Sequence, residues 1–221
     1  MSRQTENSFS SASIWSLLDR TKVLPVVVLE DSDTAVPVAK ALVAGGVPIA
    51  EITLRTPAAT DAIHDIVDSC PEVCVGAGTV LSAHDVDRAA DAGASFLVSP
   101  GLSEEVIARA LERQVPLIPG VATATEIQRA QGLGFTHLKF FPAEPSGGPK
   151  ALRAFKGPFP GVNFIPTGGV TKENASHYLK TGNVLAVGGT WIVPSEIVGR
   201  GDFGSIAEVA RLSREHLGGS L

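Results

Sequence analysis

Residues 23–55 read VLPVVVLEDSDTAVPVAKALVAGGVPIAEITLR: an apolar run from Val23 to Leu29, a stretch of helical periodicity from Ser32 to Ala44 that stops at Gly45, and a second run from Ile49 to Arg55. A short apolar run, a helix and another run form the repeating unit of a parallel sheet. The unit recurs along the chain. Further runs span Val73 to Thr79, Ser95 to Pro100, Pro116 to Val121, His137 to Pro142, Phe164 to Gly168 and Leu185 to Thr190, which makes eight. Helical stretches lie between them at Pro57 to Ser69, Ala83 to Ala92, Ser103 to Arg113, Ala124 to Leu133 and Lys172 to Thr181. Ser82, Ser103 and Thr171 stand where N-caps belong, and Gly93, Gly134 and Gly182, like Gly45, where helices end.

Eight strand–helix units predict an α/β fold, a (β/α)8 TIM barrel, in which right-handed crossovers bring every strand C-terminus to one face. Ser8 to Arg20 reads as an extra N-terminal helix covering the opposite end. The 221 residues, 44% hydrophobic, suit a single barrel domain over residues 1–221, with residues 1–12 as a flexible N-terminal extension. A doubly wound open sheet is the competing architecture. It lacks support after the first run, where Glu30-Asp31-Ser32-Asp33 stands in place of a glycine-rich dinucleotide fingerprint.

A formal charge of −5 with interspersed signs offers no basic stripe for a nucleic acid and no polybasic patch for a membrane surface. Every apolar run is broken within about ten residues, short of a membrane span. The polar, Ser-rich start, Met1 to Ser13, lacks a secretory pattern, so a cytoplasmic protein is expected. Cys70 and Cys74 have no neighbouring histidine or second cysteine pair, and the histidines are scattered; reduced thiols and no protein-bound metal are expected.

Lys139 is the residue that asks for chemistry, because it interrupts the apolar run Thr136-His137-Leu138-Lys139-Phe140-Phe141-Pro142. An unpartnered ammonium withdrawn from water tends to give up its proton, and a neutral amine is a nucleophile. A stem that packs while its head snorkels to water, or a pairing with a carboxylate, would be the structural reading. In IAEITLR the period of two sets Glu51, Thr53 and Arg55 on one face, and in the Lys139 run it sets His137, Lys139 and Phe141 together. Glu51 and Lys139 can then meet inside the barrel, although inward acid–base pairs also tie barrel layers together. A lysine that attacks a carbonyl beside a carboxylate that moves protons is a chemical unit. Arg55, nearer the mouth, can hold a substrate carboxylate by two hydrogen bonds. Gly76-Ala77-Gly78-Thr79 allows close approach to backbone and adds a hydroxyl, or is simply a tight turn. The last two runs end in Thr167-Gly168-Gly169 and Gly188-Gly189-Thr190, with Ile192 to Ser195 as a short extra helix. Backbone N–H groups there suit a phosphate, unless both are only turns.

The segments IAEITLRT (49–56), VGAGTVL (75–81), SPGL (99–102), PLIPGVAT (116–123), LKFFPAE (138–144), FIPTGGV (164–170) and VGGTWIVP (187–194) occur in order. From about Pro25 to Leu212 the chain closely resembles the bacterial 2-keto-3-deoxy-6-phosphogluconate (KDPG) aldolases, many of which also act as 4-hydroxy-2-oxoglutarate (KHG) aldolases. The resemblance implies a homotrimeric, cofactor-free class I enzyme of the Entner-Doudoroff pathway that splits KDPG into pyruvate and D-glyceraldehyde 3-phosphate. It implies Lys139 as the Schiff-base lysine and Glu51 as general acid/base. Arg55 and Thr79 would bind the pyruvyl carboxylate, Pro100 and Phe141 would line the site, and Thr167, Gly168, Gly169, Gly189 and Thr190 would receive the phosphate and nearby hydroxyls. Thr190 stands where familiar members have Ser, which keeps the hydroxyl and adds a methyl. The alternatives are a preference for 4-hydroxy-2-oxoglutarate or for the galacto-configured homologue of KDPG. Isomerisation or thiamine-phosphate-type condensation would use the phosphate loops without needing a buried lysine, and an inactive barrel would predict a broken Glu51, Arg55, Thr79 and Lys139 set.

Overall fold

The computed structural model describes residues 10–220. Strands and helices alternate as the sequence predicts, and every strand pair is parallel. The strands are β1 (Val23–Val27), β2 (Ile49–Thr53), β3 (Cys74–Gly78), β4 (Phe96–Val98), β5 (Leu117–Ile118), β6 (Gly120–Val121), β7 (His137–Phe140), β8 (Asn163–Pro166) and β9 (Val187–Gly189). They form a six-stranded sheet, ordered β5-β4-β3-β2-β1-β9, and a three-stranded sheet, β6-β7-β8. The expected fifth strand, Pro116 to Val121, is thus two short ones. Pro119 separates them because it has no N–H to give to a ladder, and its carbonyl instead accepts from Lys139 N at 2.9 Å.

Seven of the eight apolar runs extend past the ends of their strands; the fifth ends with β6 at Val121. β2 stops at Thr53, one further ladder bond follows from Leu54 N to Gly78 O, and Arg55 lies in a turn whose N–H bonds Thr53 O.

The helices are α1 (Ser11–Thr21), α2 (Ala35–Ala44), α3 (Ala59–Ser69), α4 (Ala83–Asp91), α5 (Glu104–Glu112), α6 (Ala124–Gly132), α7 (Gly148–Lys156), α8 (Ala175–Leu179), α9 (Ser195–Gly199) and α10 (Phe203–His216). Ser82 and Ser103 cap α4 and α5 through Asp85 N and Val106 N. Thr171 does not cap α8. The expected helix from Lys172 shortens to Ala175–Leu179, and Thr171 N donates to Asn174 Oδ1 instead. Ser32–Thr34 forms a single 3-10 turn before α2. The helices α7 and α10 complete the alternation; α7 begins in the turn-like Gly147-Gly148-Pro149, where proline's missing N–H costs nothing in the first helical turn. The extra N-terminal helix is present as α1, capped by Ser10, so Ser11 and Ala12 of the expected extension are helical, while residues 1–9 lie outside the described residues. Ile14, Leu17 and Leu18 bury its inner face, and Trp15 stacks on His137 at a centroid distance of 4.2 Å. This places α1 at the N-terminal end of β7, away from the strand C-termini.

All five residues of β1, β2 and β3 are buried, as sheets covered on both faces require. No described helix is long and apolar enough to cross a membrane. Cys70 and Cys74 are free thiols, each fully buried. Burial pushes the Cys74 thiol up to about 12, and Cys70 upward as well. Neither should react with a thiol-specific disulfide reagent in the native state, and both should react in denaturant. Stoichiometric labelling of the native protein would contradict this burial.

Candidate active site

Lys139 and Glu51 come from strands on different sheets, yet their side chains meet. Lys139, in β7, is 6% exposed and Glu51, in β2, is 1% exposed, and Lys139 Nζ donates to Glu51 Oε1 at 3.2 Å. Two charged groups this far from water require each other, since burial of either alone costs several kcal/mol. Glu51 Oε2 has no hydrogen-bond partner among the described residues. One carboxylate oxygen holds the lysine, and the other is buried beside it. The aromatic face of Phe141 lies 5.3 Å from Lys139 Nζ and walls the pair.

Gly78, at the end of β3, explains why glycine is needed beside Glu51. A Cβ at Gly78 would lie 2.1 Å from Glu51 Oε1, so any larger residue would push the carboxylate off the lysine. Thr53, expected to face the site with Glu51, is fully buried and donates to the Val27 carbonyl at 3.2 Å. Its hydroxyl is therefore occupied by the neighbouring strand.

Arg55 and Thr79 form the next layer outward. Both lie just beyond their strands, and Arg55 Nε donates to Thr79 Oγ1 at 3.3 Å. Thr79 has a φ of 59°, a left-handed conformation that a β-branched residue adopts only where its surroundings impose it. Arg55 is exposed, so its guanidinium can meet a ligand at the mouth. Pro100 follows β4, and its carbonyl lies 2.3 Å from where a Cβ would stand at Gly120, which locks that loop against β6.

The glycine loops stand at the C-terminal ends of β8 and β9. Gly168 and Gly169 have φ of 94° and 78°, a consecutive left-handed pair that side chains resist. Thr167 is 7% exposed, and its Oγ1 has no hydrogen-bond partner among the described residues and lies over Gly188. Gly189 is covered by the Trp191 ring, whose Nε1 donates to Ser213 Oγ at 3.2 Å, and Thr190 is exposed. Of the short helix expected at Ile192 to Ser195 only Ser195 is helical, and α9 runs on from it to Gly199.

Lys139 and Glu51, both within their strands, are in contact, and Arg55 is joined to Thr79 just beyond the ends of β2 and β3. Glu144 closes the LKFFPAE segment, which assigns it no role, and its carboxylate contacts the loop that follows β8. Its partners Asn174 and Tyr178 are 30 and 34 residues away, and no local period connects them. A separate cavity of about 220 Å³ lies at the other end of the strands, between α1 and α5, and its lining has neither a carboxylate nor a lysine. Among the described residues no group of three or more His, Cys, Asp or Glu is arranged to hold a metal ion.

The family model for KDPG and KHG aldolases matches residues 14–209. The chain is 47% identical to the 2-dehydro-3-deoxy-phosphogluconate aldolase of Pseudomonas aeruginosa over 207 residues, covering 94% of this chain and 93% of that one. It is also 47% identical to the KHG/KDPG aldolase of Escherichia coli over 196 residues, 89% of this chain and 92% of that one. The crystal structure of KDPG aldolase from Legionella pneumophila, with pyruvate captured at low pH as a covalent carbinolamine intermediate, superposes with a TM-score of 0.87 at 39% identity, covering 90% of this chain and 97% of that chain. The chain belongs to the KDPG and KHG aldolase family.

Proposed function

We propose that this protein is a class I, metal-independent aldolase that cleaves KDPG to pyruvate and D-glyceraldehyde 3-phosphate, with Lys139 as nucleophile and Glu51 as proton carrier. The observation that carries the reading is the buried 3.2 Å contact between Lys139 Nζ and Glu51 Oε1, with Oε2 unpartnered among the described residues. Transfer of a proton from the ammonium to Glu51 leaves a neutral amine, which attacks C2 of the substrate. Glu51 returns a proton to the departing hydroxyl, and the carbinolamine loses water to give the iminium. Glu51, again a carboxylate, takes the C4 hydroxyl proton as the C3–C4 bond breaks; the O–H pair becomes the aldehyde C=O, and the C3–C4 pair passes into the iminium to form an enamine. Protonation of the enamine at C3 and addition of water release pyruvate and restore the amine.

Arg55 and Thr79 hold the pyruvyl carboxylate, Pro100 and Phe141 line the site, and Thr167, Gly168, Gly169, Gly189 and Thr190 receive the phosphate end. Support for the latter is their common position at the ends of β8 and β9 and the exposed Thr190 hydroxyl. The two sheets are read as arcs of one closed (β/α)8 barrel. Pro119 alone separates β5 from β6, and Leu185 N donates to Phe164 O at 3.0 Å, linking β8 to the segment entering β9. A homotrimer belongs to the same proposal, and exposed Leu81 and Leu111 offer apolar surface for it. Sedimentation velocity should report three chains of 22.9 kDa.

Pyruvate release from KDPG, measured with and without excess EDTA, tests the reaction class. Equal rates are expected; loss of rate on chelation, with recovery on adding a divalent cation, would overturn metal independence. Because the Escherichia coli relative carries both substrate names, 4-hydroxy-2-oxoglutarate is the second substrate to assay.

A further inference from the structure

Glu144, Asn174 and Tyr178 form a cluster on the rim of the site that takes no part in the chemistry above. Glu144 belongs to the segment leaving β7, the strand of Lys139. Ala143 N donates to Thr167 O at 2.8 Å and Glu144 N to Gly168 O at 3.0 Å, which stitches this segment to the glycine loop after β8. The Glu144 side chain adds a second hold. Its Oε1 accepts from the Tyr178 hydroxyl and, at 3.4 Å, from Asn174 Nδ2. The same Asn174 nitrogen donates to Gly169 O at 3.0 Å, while Asn174 Oδ1 accepts from Thr171 N at 2.8 Å. Asn174 therefore brackets the turn, Glu144 holds Asn174, and Tyr178 holds Glu144.

The packing points the same way. A Cβ at Gly169 would stand 2.7 Å from both Cβ and Cγ of Glu144, so the Glu144 methylenes occupy the space beside this glycine. Tyr178 is fully buried, and burial together with the Glu144 carboxylate pushes its phenol upward, which keeps the hydroxyl a donor. Two adjacent left-handed glycines have wide conformational freedom of their own. Donors aimed at an anion are effective when they are held in place before it arrives.

We propose that Glu144 is a specificity-determining positioning residue: held by Tyr178 and acting through Asn174, it keeps the Gly168–Gly169 turn in the shape that receives the substrate phosphate, and it does not act on the imine at Lys139. The inference rests on the reading that this turn takes the phosphate. KDPG carries that group, whereas 4-hydroxy-2-oxoglutarate ends at C5, short of it, and so the two substrates separate the roles.

Steady-state kinetics of Glu144→Ala, Glu144→Gln and Thr190→Val with both substrates, and borohydride trapping of pyruvate, test it. For Glu144→Ala the KM for KDPG should rise about 10- to 100-fold, as misplacement of a binding group does. Its kcat/KM for 4-hydroxy-2-oxoglutarate and its pyruvate trapping should stay within about twofold of the parent. Glu144→Gln, which keeps an acceptor oxygen for Tyr178, should recover most of the loss. Tyr178→Phe, which keeps the buried ring, should shift the KDPG KM in the same direction and provides the test if Glu144→Ala does not fold. Equal loss on both substrates, or no loss on either, would overturn the proposal. Thr190→Val reads the phosphate assignment separately: if it leaves the KDPG KM unchanged, that assignment fails and this inference with it. If Thr190→Val raises the KM and neither Glu144→Ala nor Tyr178→Phe does, the inference alone fails.

Discussion

Replacing Lys139 by alanine is expected to lower kcat/KM for KDPG by roughly 10⁴- to 10⁶-fold, the scale on which an enzyme loses activity when its covalent nucleophile is removed. No neighbour can substitute. Among the described residues, Lys139 Nζ is bonded to the Glu51 carboxylate at 3.2 Å and lies over the Phe141 ring, neither of which is an amine. The same substitution leaves Glu51 at 1% exposure without its cation. Removing one partner of a buried pair costs about 3–5 kcal/mol, so the variant should fold with reduced thermal stability. Lys139→Met, which fills more of the vacated volume, should be as inactive as alanine and closer to the parent in thermal stability. Retention of more than about one part in a hundred of the activity by a folded Lys139 variant would contradict the imine route.

Glu51→Gln is expected to reduce kcat by about 10²- to 10⁴-fold, the range for a lost general acid/base. Glutamine has nearly the shape of glutamate, and Gly78 leaves the space that either needs. What the amide lacks is the ability to take a proton from Lys139 and give it to the departing hydroxyl. Imine formation should therefore become slow without changing its location, and pyruvate should still be trapped on Lys139 after long incubation. A structural pair would behave differently: it would lose thermal stability while the folded fraction kept its kcat. Activity within about tenfold of the parent would rule out Glu51 as the proton carrier.

The alternation that sets Lys139 and Glu51 inward was legible because a period of two and a charge in an apolar run are local signals. Their meeting required only that both strands belong to one parallel array. Arg55 was read as part of the same alternation, but it reaches the mouth from a turn after β2. Thr53 shows the limit of the period: its side chain is buried as predicted, yet its hydroxyl bonds the Val27 carbonyl. The register of the neighbouring strand decides that, and one strand's sequence does not contain it. Pro119 was visible in the sequence, but periodicity treats a proline within an apolar run as one more apolar residue. The helix α8 shortened because Asn174 turned its side chain to Thr171 N and Gly169 O, competing with the helical backbone. Glu144 was illegible for the same kind of reason, since its role exists only once β7 and β8 bring their exit loops together.

The central claim is that Lys139 forms the imine with the keto acid. Borohydride reduction of the parent protein in the presence of pyruvate, followed by digestion and peptide mass spectrometry, reads it directly. One stable reduced pyruvyl adduct is expected, on the peptide containing Lys139 and at that lysine, with none formed when either reagent is omitted. An adduct on Lys150, Lys156 or another lysine, or none while the protein is cleaving KDPG, would contradict the account.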